Sequence, residues 1–222
     1  MEEDLAKLAD LIIVIVESAG TLTELGAFSL SPSLRKKLLP IVDKEYEHHS
    51  SFITNGPLHW IDVESDFRPT IYTPLNMVLA AIDQIEERIG RIPKPHSIKI
   101  SDLSTSPKHF LFFIYDLISV IQPASLSMIN HYLSAIVPSL SSSTIDIPTL
   151  IGLAVAMGLL RATAIGGGHN EVYYTPVDTD RIGRPFHHSR LLYLEARRAE
   201  HASVLMAIPE AKAVLDLLRE TQ

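Results

Sequence analysis

Continuous apolar runs alternate with helical patterns in the first part of the chain. The run LIIVIV follows a short helical pattern at Glu3–Ala9, and the run LLPIV comes later. Because apolar runs without polar alternation are typical of parallel strands covered on both faces, we predict strands at Asp10–Val16 and Leu38–Val42. A helix from Thr21 to about Leu30 connects them. The pattern therefore predicts an α/β fold.

A third strand and an amphipathic helix extend this pattern. The segment Phe67–Pro74 predicts a short strand, and PLNMVLAAIDQIEERI, which begins at Pro74, has apolar residues every three to four positions. The following GRIPKPHS contains two prolines and predicts a linker. We therefore expect a partial Rossmann-like parallel-sheet domain at residues 1–92 and a linker at 93–104.

From residue 105 the chain is mostly helical in pattern. Three helical segments, the first of which carries the aromatic stripe HFLFFIYDLI, precede two β-rich segments joined by GGGHN at 166–170. Three helices followed by a β-hairpin is the order of a winged helix-turn-helix. We predict such a domain at 105–222, with the aromatic stripe in its core and a tail that forms one long helix broken near Pro209 or two helices end to end.

Composition and charge limit the classes of function. The 222 residues are 46% apolar, include no cysteine and carry a formal charge of −7. These values allow a packed core, exclude disulfides and thiolate chemistry, and argue against a surface that attracts nucleic acid everywhere. The apolar window 147–160 is about fourteen residues, short of the roughly twenty that a membrane span needs. With an acidic start unlike a secretory signal, we expect a cytoplasmic protein without membrane contact.

Metal and DNA binding are weakly supported by the residues. The adjacent histidine pairs point apart in regular structure, so we predict surface or packing roles and no metal site. The expected recognition helix has no Lys or Arg before Arg161, which favours a protein-docking or dimerising winged helix over a DNA reader. Trp60 is expected to pack beneath the α/β layer, with stacking on a nucleobase as the alternative. Five arginines are better candidates for nucleic-acid contact: Arg181, Arg184, Arg190, Arg197 and Arg198. The alternative is that they belong to an exposed helix face whose charge is balanced by Glu195 and Glu200.

The turn after the first strand carries the main candidate chemistry. In ESAGTLTELGAF, residues 17–28, a helix starts at the carboxyl end of a parallel strand, where open α/β sheets bind ligands. Gly20 allows a tight turn, and the free N–H groups at the helix start favour an anion. Thr21 and Glu24 match a capping box, in which Glu24 bonds the Thr21 N–H. Alternatively, an ionised Glu24 in the first helical turn attacks a sugar carbon. Spacing alone favours the cap.

Three motifs give the N-terminal part a family likeness: E-S-x-G-[ST]-x-T-E-L-G-A-F, the basic helix end LRKKL, and SFI-x-x-GP. With them, residues 4–61 resemble the later part of the nucleoside deoxyribosyltransferase-like domain of effectors from bacterial retrons, which are anti-phage systems. The resemblance implies a toxin that cleaves N-glycosidic bonds of nucleotides, with NAD as an expected substrate and no cofactor. It makes Glu24 the nucleophile and favours that role over the cap. Substrate contacts are implied for Ser18, Gly20, Thr21 and Asn55.

The resemblance also implies partners and shows two departures. Retron effectors act with a reverse transcriptase and its RNA–DNA product, so we expect both as partners, and a homo-oligomer. Some carry a C-terminal winged-helix-like region. Transferases usually have Asp six residues before the nucleophile, where this chain has Ser18. This departure favours hydrolysis by a different arrangement, or a weaker enzyme, over base exchange. The family's first nucleotide contacts precede the motif strand and are not found here, so we expect a late-started chain or a site completed by another subunit. A non-catalytic scaffold subunit and a winged-helix regulator are the alternatives.

Overall fold

The computed structural model describes residues 2–94, 96–136, 146–165, 171–178, 186, 193–207, 212 and 215–216. The chain divides into two compact units, Met1–Pro95 and His96–Gln222. The boundary falls inside the segment 93–104 that the sequence predicts to be a linker. Within the described residues, no helix is both long enough and apolar enough to cross a membrane.

The first unit is built on a parallel sheet with the strand order β1-β2-β3. In this sheet Ile12 pairs with Leu38, and Ile41 pairs with Ile71. Short 3-10 segments at Lys44–Tyr46 and Leu75–Ala81 and a π-helical turn at Thr54–Leu58 lie between the regular elements. Those elements, in chain order, are α1 (Glu2–Leu8), β1 (Ile12–Val16), α2 (Ala19–Leu30), α3 (Pro32–Arg35), β2 (Leu38–Asp43), α4 (His59–Glu64), β3 (Ile71–Thr73) and α5 (Ile82–Ile89).

Alternation along the strands gives this unit two apolar cores, one on each face of the sheet. On one face α2 and α4 pack against the sheet in a cluster made of Val14, Leu25, Leu38, Val42, Leu58 and Ile61. On the other face the chain around α5 packs against a cluster made of Leu39, Ile41, Phe67, Ile71 and Ala81. The central strand β2 is buried on both faces, as its unbroken apolar run predicts.

The three predicted strands are confirmed, but the helix predicted from Pro74 is wrong in its first half. The segment Leu75–Ala81 is a 3-10 segment with non-helical backbone at Met77, and only Ile82–Ile89 is an α-helix. The Leu75 N–H donates to a carboxylate oxygen of Asp43 at 3.3 Å, which holds this segment against the end of β2. Packing and this bond replace the regular turns that the apolar spacing predicts.

The start of α2 differs from the predicted capping box. The helix begins at Ala19, and its N-cap is Ser18, whose hydroxyl accepts from the Thr21 N–H at 3.2 Å. In return, the Thr21 hydroxyl accepts from the Ser18 N–H at 3.0 Å. The expectation that Glu24 bonds the Thr21 N–H is therefore wrong, because Ser18 already occupies that donor. Glu24 lies in the second turn and not the first, beyond the strongest influence of the helix dipole.

The second unit joins helices to an antiparallel sheet with the strand order β4-β6-β5. Ala162 pairs with Tyr174 across the β5–β6 hairpin, whose predicted tip at 166–170 lies outside the described residues. The elements are α6 (Pro107–Ile121), β4 (Ala124–Ser125), α7 (Leu126–Ile136), α8 (Ile147–Ala156), β5 (Leu160–Ile165), β6 (Glu171–Pro176) and α9 (Leu194–Met206). The aromatic stripe lies on α6, where Phe110 and Ile118 are fully buried, so its core position is confirmed.

Helix α9 is fastened to the end of α6 by polar contacts. The Arg198 guanidinium donates to the carbonyl oxygens of Val120 and Gln122. One turn later, His201 has a buried Nε2 without a hydrogen-bond partner in the described residues. Burial lowers the pKa of His201, the Arg198 charge lowers that pKa further, and a backbone hydrogen bond with Ile121 opposes both effects. The folded unit therefore favours the neutral imidazole.

Trp60 corrects another expectation, because it lies on the surface of α4 and not beneath the α/β layer. Its side chain is 40% exposed, and the Arg35 guanidinium carbon lies 5.6 Å from the centre of its ring system. Arg35 also pairs with Glu64 at 2.7 Å. The Trp60 ring therefore lies against the Arg35 guanidinium, which forms an ion pair between α3 and α4. The neighbouring Ile61 takes the core position.

The observed cap makes a prediction about stability. Replacing Ser18 with Ala should lower the free energy of unfolding by about 1 kcal/mol, because the Thr21 N–H loses its acceptor. Replacing Glu24 with Gln should change it by less than about 0.5 kcal/mol, because Glu24 takes no part in the cap. Urea unfolding followed by circular dichroism measures both values. Equal destabilisation by the two variants would restore Glu24 to the cap.

A second prediction concerns pH. Because the pKa of His201 is lower in the folded state than its ordinary value of 6.5, the unfolded chain binds this proton more readily. Its contribution to stability is complete above pH 6.5 and is lost as the pH falls from 6.5 through the folded-state pKa. Unfolding measured between about pH 5 and pH 8 should show a smaller acid loss for His201→Gln than for the native chain. The exposed His59, replaced by Gln, is measured in parallel as the control for a histidine substitution at the surface.

Candidate active site on helix α2

The turn between β1 and α2 contains two hydroxyl groups, of Ser18 and Thr21, which differ in the number of hydrogen bonds that they make within the chain. The Thr21 hydroxyl accepts from the N–H groups of Glu17 and Ser18 and donates to the Ser18 carbonyl at 3.0 Å. The Ser18 hydroxyl accepts from the Thr21 N–H and lies 3.4 Å from the Thr21 oxygen. Thr21 is therefore used by the chain itself, whereas the Ser18 proton is engaged only in a long contact of 3.4 Å with the Thr21 oxygen and can turn to a ligand.

Gly20 lies within the first turn of α2 and does not make the chain reversal. The residues that leave the strand are Glu17 and Ser18, and the φ angle of Gly20 is not in the left-handed region. A Cβ atom at Gly20 would meet only the Ser18 hydroxyl, at 3.5 Å, which is an ordinary contact. The predicted reason for this glycine, a tight turn, is therefore wrong, and the fold itself tolerates a side chain at this position.

Glu24 lines a shallow pocket of about 370 Å³ on the side of α2 that faces α1. Residues three and four positions apart share a face of a helix, which brings Phe28 into the same pocket one turn further on. Glu24 is the single charged residue among those that line it. The others are apolar: Leu5, Ala6, Ala9, Leu11, Ile12 and Phe28. The pocket thus presents one carboxylate against apolar walls.

The predicted substrate residues do not meet in this pocket. It lies beside the amino end of β1, whereas Ser18, Gly20 and Thr21 lie at the carboxyl end of that strand. Asn55 belongs to the π-helical turn that packs against α2, and its amide donates to the Ser50 hydroxyl at 3.0 Å. The structure therefore places the nucleophile candidate on one side of α2, and Ser18, Gly20 and Thr21 around the start of that helix.

The pocket borders a strand edge that is unpaired in the described part of the chain. Strand β1 pairs only with β2, so one row of its backbone N–H and C=O groups has no strand partner there. On the face opposite α2, Ile13 and Ile15 are 40% and 38% exposed. The β1 edge and these two side chains are therefore available for contact with another polypeptide.

Asp43 and Tyr72 are polar residues near the carboxyl ends of β2 and β3 that the sequence motifs do not predict. The Asp43 carboxylate accepts from the Glu45 N–H at 3.1 Å and from the Leu75 N–H at 3.3 Å, so its role is to shape the loops. Burial raises the pKa of Tyr72, which the charges of Asp62 and Glu47 raise further. Tyr72 therefore remains a protonated hydrogen-bond donor at neutral pH. The feature of the sequence that could have identified Asp43 and Tyr72 is a polar residue within or at the end of a predicted strand.

The described residues also include candidates for metal binding and for nucleic-acid contact. There, no group of three or more His, Asp or Glu side chains is arranged to hold a metal ion. Arg198 is half-buried against α6, and Arg197 pairs with Glu200 at 2.7 Å. Arg198 is thus a packing residue rather than the proposed nucleic-acid contact. The remaining arginine candidates and several histidines lie outside the described residues: Arg181, Arg184, Arg190, His169, His187 and His188.

Comparison with known proteins agrees with the motifs on α2. The chain is 30% identical over 196 residues to the Escherichia coli "Retron Ec73 putative ribosyltransferase/DNA-binding protein", and the match covers 79% of this chain and 58% of that protein. It is 47% identical over 58 residues to the Escherichia coli "Retron Ec86 putative ribosyltransferase/DNA-binding protein", which covers 26% of this chain and 19% of that protein. The chain thus spans less than two thirds of either relative. Residues 1–162 match the family described as STM3845 retron effector protein, and the chain belongs to that family.

Proposed function

We propose that the first unit cleaves the N-glycosidic bond of NAD or a related nucleotide, with Glu24 as the nucleophile. The observation that carries the proposal is the position of the Glu24 carboxylate, which takes no part in the helix cap and lines a pocket with otherwise apolar walls. The pocket volume, about 370 Å³, is in the range of small-molecule sites. The family membership and the ribosyltransferase named in both relatives support the same reaction class.

The reaction proceeds in two displacements at one carbon. A Glu24 carboxylate oxygen bonds to C1′ of the ribose while the bond from C1′ to the nicotinamide nitrogen breaks, and the electron pair neutralises the pyridinium ring. Water then bonds to C1′, releases the Glu24 carboxylate and loses one proton to solvent. The products are nicotinamide, ADP-ribose and a proton. Because nicotinamide leaves from a cationic ring, no general acid is required, which suits a pocket with a single carboxylate.

The start of α2 serves the phosphate end of the same substrate in this proposal. Its first N–H groups favour an anion, and the Ser18 hydroxyl keeps a proton that it can donate to ribose or phosphate. Gly20 leaves space over these groups, since only the Ser18 hydroxyl lies within 4 Å of a Cβ atom built there. The Asn55 amide donates one N–H to Ser50 and keeps its second N–H and its oxygen for a substrate. No metal or other cofactor enters the reaction.

We infer that the second unit is a winged-helix-like module that docks protein rather than reads DNA. It has the order of a winged helix, with helices α6 to α8 followed by the β5–β6 hairpin. The exposed residues of α8 are uncharged, namely Pro148, Thr149, Gly152 and Ala156. Base readout and phosphate contact draw largely on Lys and Arg side chains, and the exposed residues of α8 include neither, which favours a protein surface as the partner of this helix.

The family supports a role inside a retron complex in the cytoplasm. We propose that a reverse transcriptase and its RNA–DNA product restrain the effector until phage infection releases its toxicity. A second copy of the chain is the proposed oligomeric partner, and the unpaired β1 edge next to Glu24 is where it would complete the site.

A non-catalytic scaffold subunit is the second candidate function. Two observations favour it: Ser18 stands where transferases carry an Asp, and the groups predicted to bind substrate do not converge on the Glu24 pocket. The two functions differ in one measurable product, free nicotinamide.

Incubation of the purified chain with NAD, followed by chromatography of nicotinamide, tests the proposed reaction. The native chain should release nicotinamide, and Glu24→Gln should reduce the rate by roughly 10³-fold, because the neutral amide does not form the covalent intermediate. Glu45→Gln is the matched control, since it removes an exposed carboxylate outside the pocket. Equal release by native chain and Glu24→Gln would exclude Glu24 from the reaction, and no release by the native chain would favour the scaffold.

A further inference from the structure

The first unit contains another pocket, at the end of the sheet opposite the start of α2. It has a volume of about 480 Å³ and is lined by Asp66, Arg68, Pro69 and Arg91. Arg68 and Pro69 lie shortly before β3 begins, and Arg91 follows the end of α5. This pocket shares no lining residue with the Glu24 pocket. It requires a separate explanation.

The Arg91 guanidinium is held in a fixed orientation. Its Nε and Nη2 donate to the two carboxylate oxygens of Glu87 at 2.8 Å and 3.1 Å. Its Nη1 donates to the carbonyl oxygen of Arg68 at 2.8 Å. A bidentate pair of this kind fixes the plane of the group. Arg91 therefore presents a positive charge to the pocket without further ordering.

The Arg68 guanidinium is anchored by one nitrogen only. Its Nη1 donates to the carbonyl oxygens of Ser65 at 3.0 Å and Val63 at 3.3 Å, near the end of α4. In the described part of the chain its Nε and Nη2 have no hydrogen-bond partner. The guanidinium therefore keeps N–H donors for a ligand, in the fork geometry that matches an oxyanion.

Charge around the pocket does not balance. Glu87 pairs with Arg88 as well as with Arg91, so one carboxylate serves two guanidinium groups. The Arg88 side chain is 10% exposed, and its buried Nε has no partner among the described residues. Among the side chains that line the pocket, Arg68 and Arg91 carry positive charge and Asp66 carries negative charge. A bound anion would neutralise the excess.

We propose that this pocket binds the phosphate group of a small phosphorylated molecule through Arg68 and Arg91. The free N–H donors of Arg68 contact the phosphate oxygens, and the oriented charge of Arg91 stabilises them from the other side. Asp66 lines the same pocket and opposes the anion, so the native affinity is moderate. The volume exceeds that of a phosphate alone and suits a phosphate ester.

Isothermal titration of the full chain with inorganic phosphate, at constant ionic strength set with sodium chloride, tests the proposal. Arg68→Gln should weaken binding by about tenfold or more, because a charged hydrogen-bonding group is lost. Asp66→Asn should tighten binding by about threefold, because the opposing charge is removed. This gain does not depend on the anchoring of Arg68 to α4, so it remains informative if Arg68→Gln destabilises the unit.

Two control variants make the same changes in charge at another place, just after the carboxyl end of β2. Lys44→Gln and Glu45→Gln alter the same charges outside the pocket and should leave phosphate affinity unchanged. Glu24→Gln should also leave it unchanged, because the two pockets are separate. The proposal is overturned if phosphate binds neither the native chain nor Asp66→Asn, if Asp66→Asn fails to tighten binding, or if Glu24→Gln abolishes it.

Discussion

The pairing of β1 with β2 under helix α2 is the constraint on which the first unit depends. Leu25 of α2 is completely buried against Val14 and Leu38, one from each strand. This contact sets the height and rotation of α2 over the sheet. Because Glu24 precedes Leu25, the same contact turns its carboxylate towards α1, and Ser18 and Thr21 remain at the start of the helix. Apolar packing thus decides which polar groups are offered to a ligand.

Two overlapping patterns compete for the start of α2, and the chain geometry selects between them. Ser18 with Thr21 and Thr21 with Glu24 both have the three-residue spacing of a reciprocal cap. Only Ser18 follows the strand closely enough to end the extended backbone, since Val16 is still paired with Val42. A Thr at the third helical position then replaces the usual Glu or Gln in the cap. The outcome leaves Glu24 outside the cap, which spacing alone does not predict.

Much of the first unit follows from apolar runs, and the failures have local causes. The runs LIIVIV and LLPIV predict the parallel strands, because burial on both faces excludes polar alternation. The regular spacing after Pro74 predicts a helix. The hydrogen bond of Leu75 to Asp43 and the non-helical backbone at Met77 interrupt that helix. The burial of a single aromatic residue such as Trp60 is not predictable from the pattern. The neighbouring Ile61 takes the core position, and Arg35 gives Trp60 a partner at the surface. The pocket at Arg68 and Arg91 is not predictable from spacing, because the chain between them returns through β3 and α5.

The composition of β1 has a consequence for how copies of the chain behave in concentrated solution. Its five residues are all β-branched and uncharged, and they include none of the Lys, Pro or bulge features that guard natural strand edges. Ile and Val at every position also leave the alignment of a second strand poorly specified, since a slip of one residue replaces one apolar contact with another. An edge of this kind promotes aggregation through mismatched sheets, so whatever covers β1 protects the chain against self-association as much as it shapes a site.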